Sequence, residues 1–180
     1  MKKNFFYALG MAFALCCCSS NGDKASSDAI NENGSNVNYL YSYYDFRQEN
    51  PGCDIYGFCP KEDFGRWSNG DTVIIDLMAA PMAEITARLD IDRVVTPDNI
   101  PFVFNVEVNG ERVAHISTSG NNSVYVNVPK ENLGADGTAR LIVVFENAAL
   151  PGKYNPENPD PRKLGFALRG ITVYGYSLKK

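Results

Sequence analysis

Beyond Tyr39, apolar positions recur every second residue in short runs, and no run keeps a helical period for long. Phe102, Phe104, Val106 and Val108 alternate up to Asn109-Gly110. A period of two marks a strand with one buried face, and Asn-Gly suits the two-residue turn of a hairpin. The pattern predicts a hairpin over Phe102 to Ile116, with Glu107 opposite Arg112, Val106 opposite Val113 and Phe104 opposite His115. Glu84 to Asp92 alternates as cleanly: Ile85, Ala87, Leu89 and Ile91 face one way, and Thr86, Arg88, Asp90 and Asp92 the other. Further strands are expected at Tyr39 to Phe46, Thr72 to Met78, Ser123 to Val128 and Ala139 to Phe145. The last two are separated by a Gly134 to Gly137 turn. Gly165 to Leu178 reads as two strand pieces broken near Arg169-Gly170. About eight short strands with regular turn signals make an all-β domain, a β-sandwich or jelly roll, over residues 39–180.

The N-terminus follows another pattern. Lys2 and Lys3 precede an apolar run, Phe5 to Leu15, and three cysteines follow it directly. This is the layout of a secretory signal peptide, and the run is too short to span a bilayer as helix. The segment resembles a bacterial lipoprotein signal, in which the cysteine at the cleavage site is acylated and becomes the new N-terminus. Cys18 fits best, with Leu15 at −3 and Cys17 at −1; Cys16 and Cys17 are the other candidates. An ordinary cleaved signal with incidental cysteines is the alternative. The resemblance implies a signal over residues 1–17 and attachment to the membrane through N-terminal acyl chains. It also implies a place in the bacterial envelope; Ser19 after the acylated cysteine is compatible with the outer membrane. Residues 18–38 are mostly Ser, Asn, Gly, Asp and Lys, a composition expected to form a flexible tether.

Charge narrows the partners. Removing residues 1–17 takes Lys2 and Lys3 with it and moves the formal net charge from −4 to −6. An acidic chain without a basic cluster argues against nucleic acid and against electrostatic binding to anionic lipid. The export signal places Cys53 and Cys59 in an oxidising compartment, where a disulfide stapling a short loop around Pro51 and Gly52 is expected. Two free thiols or a metal pair are the alternatives, the second lacking the other ligands of a structural zinc site.

One stretch is more specific. Gly65-Arg66-Trp67, the alternating strands, Val106 to Gly110, and then Asp160-Pro161-Arg162-Lys163-Leu164-Gly165-Phe166-Ala167-Leu168-Arg169-Gly170-Ile171 follow one another in order. The series resembles β-sandwich accessory domains of bacterial envelope glycosyltransferases and phosphoglycerol transferases, which are similar to galactose-binding-like jelly rolls. The resemblance implies that fold and a glycan-rich setting. It carries over no catalytic residue, and within these 180 residues neither a transferase domain nor a membrane helix is expected beside the domain.

The candidate chemistry is sparse. His115 is the only histidine, and no nucleophile elbow or His-Glu-x-x-His accompanies it. Asp90 and Asp92 share a wet strand face, so a solvated surface is the simpler reading than a glycosidase pair. No catalytic, metal or cofactor site is expected. Trp67 and the tyrosines Tyr39, Tyr41, Tyr43 and Tyr44 supply aromatic faces for sugar rings, although a lone tryptophan usually anchors a core. The loop Gly152 to Arg162, stiffened by three prolines, carries Tyr154, Asn155, Asp160 and Arg162 as ligand-binding candidates, or as a surface connection fixed by Asp160 and Arg162. The sum is a lipid-anchored, non-catalytic envelope module that interacts with glycan. A structural or assembly lipoprotein that docks another envelope protein is the alternative, and a glycan-active enzyme comes third.

Overall fold

The computed structural model describes residues 25–30, 36–78 and 84–178, with side chains in 41–78 and 84–175. The signal peptide, Cys18 and residues 19–24 and 31–35 of the tether lie outside the described residues. Among the described residues there are eleven strands: β1 Ala25–Ile30, β2 Asn36–Asp45, β3 Asp54–Tyr56, β4 Arg66–Trp67, β5 Thr72–Met78, β6 Glu84–Val94, β7 Phe102–Val108, β8 Glu111–Thr118, β9 Asn122–Pro129, β10 Thr138–Phe145 and β11 Phe166–Leu178. They form two antiparallel sheets, ordered β1-β2-β11-β6-β9, with β4 pairing β11, and β3-β5-β10-β7-β8. The all-β expectation holds, and the architecture is a β-sandwich.

Alternation explains the packing. Ile85, Ala87, Leu89 and Ile91 of β6 are buried, as are Phe102, Phe104, Val106 and Val108 of β7 and Val73, Ile75 and Leu77 of β5. Between the sheets Phe102, Phe104, Phe145 and Phe166 meet with ring centroids 4.9 to 6.5 Å apart. This quartet is the aromatic centre of the core, the place the tryptophan would take as a core anchor.

Four expectations need correcting. The hairpin pairs Glu107 with Arg112 as predicted, but Val106 faces Ala114 and Phe104 faces Ile116, because a bulge between Val106 and Glu107 takes up one extra residue of β8. Asn109 (φ 50°) and Gly110 (φ 94°) both adopt the left-handed region that the tight turn requires. Second, the C-terminal segment is one strand: two register shifts, at Ala167/Leu168 and Leu168/Gly170, absorb the irregularity without ending it. Third, Ala25–Ile30, inside the expected tether, is strand paired with β2. An edge strand is held by backbone hydrogen bonds, so a polar composition does not forbid it.

Fourth, Cys53 and Cys59 are free thiols, not a disulfide. The chain between them is drawn out as β3 along β5, and each thiol settles in different company. Cys53 packs at the core margin near Tyr44, Asp54 and Asp76. Cys59 is buried beside Arg162 and its backbone N–H donates to Trp67 O at 2.8 Å.

Candidate functional site

Three segments distant in sequence meet at one end of the sandwich: Glu62 to Trp67, the chain leaving β6 at Arg93 to Pro97, and the loop after β10. The first is fixed from both sides. Glu62 and Gly65 exchange backbone hydrogen bonds of 2.7 and 3.1 Å, and Gly65 takes a φ of 144° at a place where a Cβ would run into the Leu168 carbonyl, so a side chain has no room. Trp67 then pairs with Ala167 of β11. Next to it, Ser68 is fully buried, and its Oγ accepts the backbone N–H of Gly165 (2.9 Å) and of Phe166 (3.2 Å). Only glycine fits at 165, since a Cβ would lie 2.8 Å from Ser68 Oγ and 3.0 Å from the Phe145 ring.

The loop is closed at its neck by reciprocal bonds of 2.9 Å between Ala149 and Leu164. A short 3₁₀ turn, Pro151–Lys153, starts it. Three side-chain turns then follow in step: Asn155 Oδ1 accepts Glu157 N–H (3.3 Å), Asn158 Oδ1 accepts Asp160 N–H (3.0 Å) and Asp160 Oδ1 accepts Arg162 N–H (2.9 Å). Arg162 also grips the Asp160 carboxylate as a fork, with Nε to Oδ1 at 2.9 Å and Nη2 to Oδ2 at 2.6 Å. Its Nη1 is 3.7 Å from Glu62 Oε1, tying the loop to the first segment. That grip holds the Asp160 carboxyl below the usual carboxylate range and the Arg162 guanidinium above its own.

The three segments enclose a cleft of about 450 Å³. Phe64 and Trp67 stand edge to face with centroids 6.4 Å apart, and the Arg93 guanidinium lies 4.0 Å above the Phe64 ring. Trp67 is half-buried, so part of the indole faces the cleft rather than the core. Tyr154, Asn155, Asn158 and Asp160 line the opposite wall. Thr96 also lines it; only 5% of the residue is exposed, and its Oγ1 has no hydrogen-bond partner among the described residues. That oxygen has almost no accessible surface, so it lies behind the cleft wall rather than in the cleft.

Of the residues singled out from sequence, Trp67, Tyr154, Asn155 and Asp160 are brought together here, and Arg162 stands behind them as the clamp on Asp160. Phe64, Arg93, Thr96 and Asn158 complete the cleft without having been chosen. Tyr44 is buried and Tyr41 and Tyr43 lie on the outer face of the larger sheet, away from the cleft; the Tyr39 side chain lies outside the described residues. His115 is held by Asn105, with Nδ1 2.9 Å from Oδ1, and Asn105 donates to Glu146 at 2.9 Å, a surface polar chain on the other sheet. Among the described residues no group of three or more His, Cys, Asp or Glu side chains gathers to hold a metal. An aromatic edge, fixed amides and an ionised Asp160 suit a hydroxyl-rich ring: faces for its C–H groups, donors and acceptors for its hydroxyls.

No family model matches the chain, and no curated protein matches it. Among solved structures it is similar to a family 35 carbohydrate binding module from Clostridium thermocellum, at 10% identity over 74% of this chain and 96% of that one, with a TM-score of 0.46. A family 35 module from an environmental isolate is similar at 15% identity over 76% and 96%, TM-score 0.46. An acetyl xylan esterase from the rumen bacterium Butyrivibrio proteoclasticus is similar at 15% identity over 78% of this chain and 34% of that one, TM-score 0.45. No ligand or residue role is transferred from them.

Proposed function

We propose that this protein is a lipid-anchored module of the bacterial envelope whose β-sandwich binds glycan, without catalysis, in the cleft between Trp67 and the loop carrying Tyr154 to Asp160. The observation that carries the reading is the cleft itself: a half-buried tryptophan and the fixed loop side chains of Asn155, Asn158 and Asp160 open into one space. Asp160 is spent on Arg162 and kept ionised, which suits it to accept hydroxyls rather than to deliver a proton. Acylation at Cys18 would hold the domain at the membrane. The test is affinity electrophoresis of the chain from Ser19 onward through gels containing envelope or dietary polysaccharides. Retardation that Trp67→Ala removes supports the reading; a folded sample that no polysaccharide retards sinks it.

A second reading, an assembly lipoprotein that docks another envelope protein, is favoured by one feature. On the outer face of the smaller sheet Ile74 lies directly between Ile142 and exposed Tyr56, three apolar side chains in one cross-strand row. Co-purification of one partner from the envelope, lost on Ile142→Asp, would support it.

A further inference from the structure

The outer face of the larger sheet carries aromatic side chains that the cleft does not use. Tyr41, Tyr174, Thr86 and Asn127 stand in one row across four strands, and Tyr43, Thr172, Arg88 and Tyr125 in the next. Tyr41 and Tyr174 meet edge to face at 5.7 Å, and they and Tyr125 are 45%, 37% and 61% exposed. Among them Arg88 is fixed by three acceptors: Tyr174 Oη (3.2 Å), Thr172 Oγ1 (3.2 Å) and Asp90 Oδ2 (3.0 Å). Past these rows the face falls into a polar recess of about 300 Å³ lined by Arg88, Asp90, Asn122, Ser123 and Arg169. Ser123 Oγ donates to Asp90 Oδ1 at 2.7 Å, and Arg169 pairs with Asp92.

We propose that this face is a second glycan-binding surface, on which a polysaccharide chain lies over Tyr41, Tyr174 and Tyr125 and reaches into the recess beside Arg88. The inference takes its ligand class from the proposed function but uses none of the residues that line the cleft.

Three features choose this occupant. The tyrosines are interleaved with Thr86, Asn127 and Arg88, so the face offers ring surfaces and hydroxyl partners side by side rather than the continuous apolar patch of a protein interface. Each arginine of the recess is paired with an aspartate, so the site is close to neutral and suits hydroxyls better than a polyanion. Tyr174 and Tyr125 lie two strands and one row apart, a separation of about 12 Å from strand spacing and rise. A chain of linked sugar rings spans that distance and a single sugar does not. The bonds that fix Arg88 and Thr172 before binding reduce the ordering that association costs.

The test is affinity electrophoresis of the full chain in detergent, in gels containing xylan, galactomannan, polygalacturonate or a β-1,3-glucan. The variants are Tyr41→Ala/Tyr125→Ala and, for the cleft, Trp67→Ala, with far-ultraviolet circular dichroism as a folding control. We expect the tyrosine variant to weaken retardation by at least one polysaccharide roughly tenfold, and to do so in the Trp67→Ala background too. Retardation that Trp67→Ala abolishes and the tyrosine variant leaves unchanged overturns this inference and leaves the cleft standing. Retardation that survives Trp67→Ala and falls in the tyrosine variant supports the face and removes the cleft. No retardation by any of the four overturns both. A concentration-dependent dimer in sedimentation that Tyr125→Ala disperses assigns the face to a second copy and overturns the inference as well.

Discussion

Ser68→Ala removes one oxygen and tests how the cleft is held. That hydroxyl accepts two buried backbone donors, Gly165 N–H at 2.9 Å and Phe166 N–H at 3.2 Å, where β11 begins after the loop. Alanine fits the space but offers no acceptor, and Gly165 is packed too closely against Phe145 and Phe102 to turn elsewhere. A buried donor left unpaired costs about 1–3 kcal/mol. With the longer bond counted at the low end, the substitution should destabilise the domain by about 3 kcal/mol, or roughly 10 °C in Tm for a domain of this size. Urea unfolding followed by circular dichroism measures it, and an unchanged m-value would show that the loss lies in the native state. A loss below about 1 kcal/mol would refute the reasoning, because the two N–H groups would then have found other acceptors or water.

Three further outcomes are expected. Labelling with radioactive palmitate in a diderm bacterial host should be lost in Cys18→Ser and kept in Cys16→Ser and Cys17→Ser; label that persists in Cys18→Ser moves the anchor. Reducing agent should leave Tm unchanged, and Cys53 should resist alkylation at neutral pH in the folded state, because burial, with Asp54 and Asp76 nearby, pushes its thiol up to about 12; a Tm that falls on reduction would mean a disulfide. Stability should hold as pH falls from 7 to about 4 and then drop: Arg140 holds Asp76 low, Arg162 holds Asp160 low, and Arg169 and Arg93 outweigh burial at Asp92. Each carboxyl has a folded value below its unfolded one, so protons bind the unfolded chain first and stability drains through the acid side; a decline in Tm that begins above about pH 5 would contradict this.

The sheet architecture was legible because alternation is a local signal and it coincides with burial on β5, β6, β7 and β10. Strand register was less so: the Asn109-Gly110 turn fixed Glu107 against Arg112, but the bulge beyond it depends on how β8 settles on β7. Very short strands such as Arg66–Trp67 are too brief to show a period and exist only because β11 is there to pair with. The loop half of the cleft could be read from Tyr154, Asn155, Asp160 and Arg162, whose spacing builds its own turns. The other half could not. Phe64, Arg93 and Thr96 become neighbours of that loop only through the crossing of β6 and β11, a long-range pairing. Trp67 carried two readings, a core anchor or a face for a sugar ring; four phenylalanines fill the core, and the indole is left to the rim.

The central claim, that the cleft takes a glycan, has a built-in reporter, because Trp67 is the only tryptophan of the chain. Titrating a polysaccharide that retards the protein while following tryptophan emission and its quenching by acrylamide reads this one site. The account expects a saturable change in emission and protection of the indole from acrylamide at the concentrations that cause retardation. Retardation with Trp67 emission and quenching unchanged would place the glycan elsewhere and contradict it.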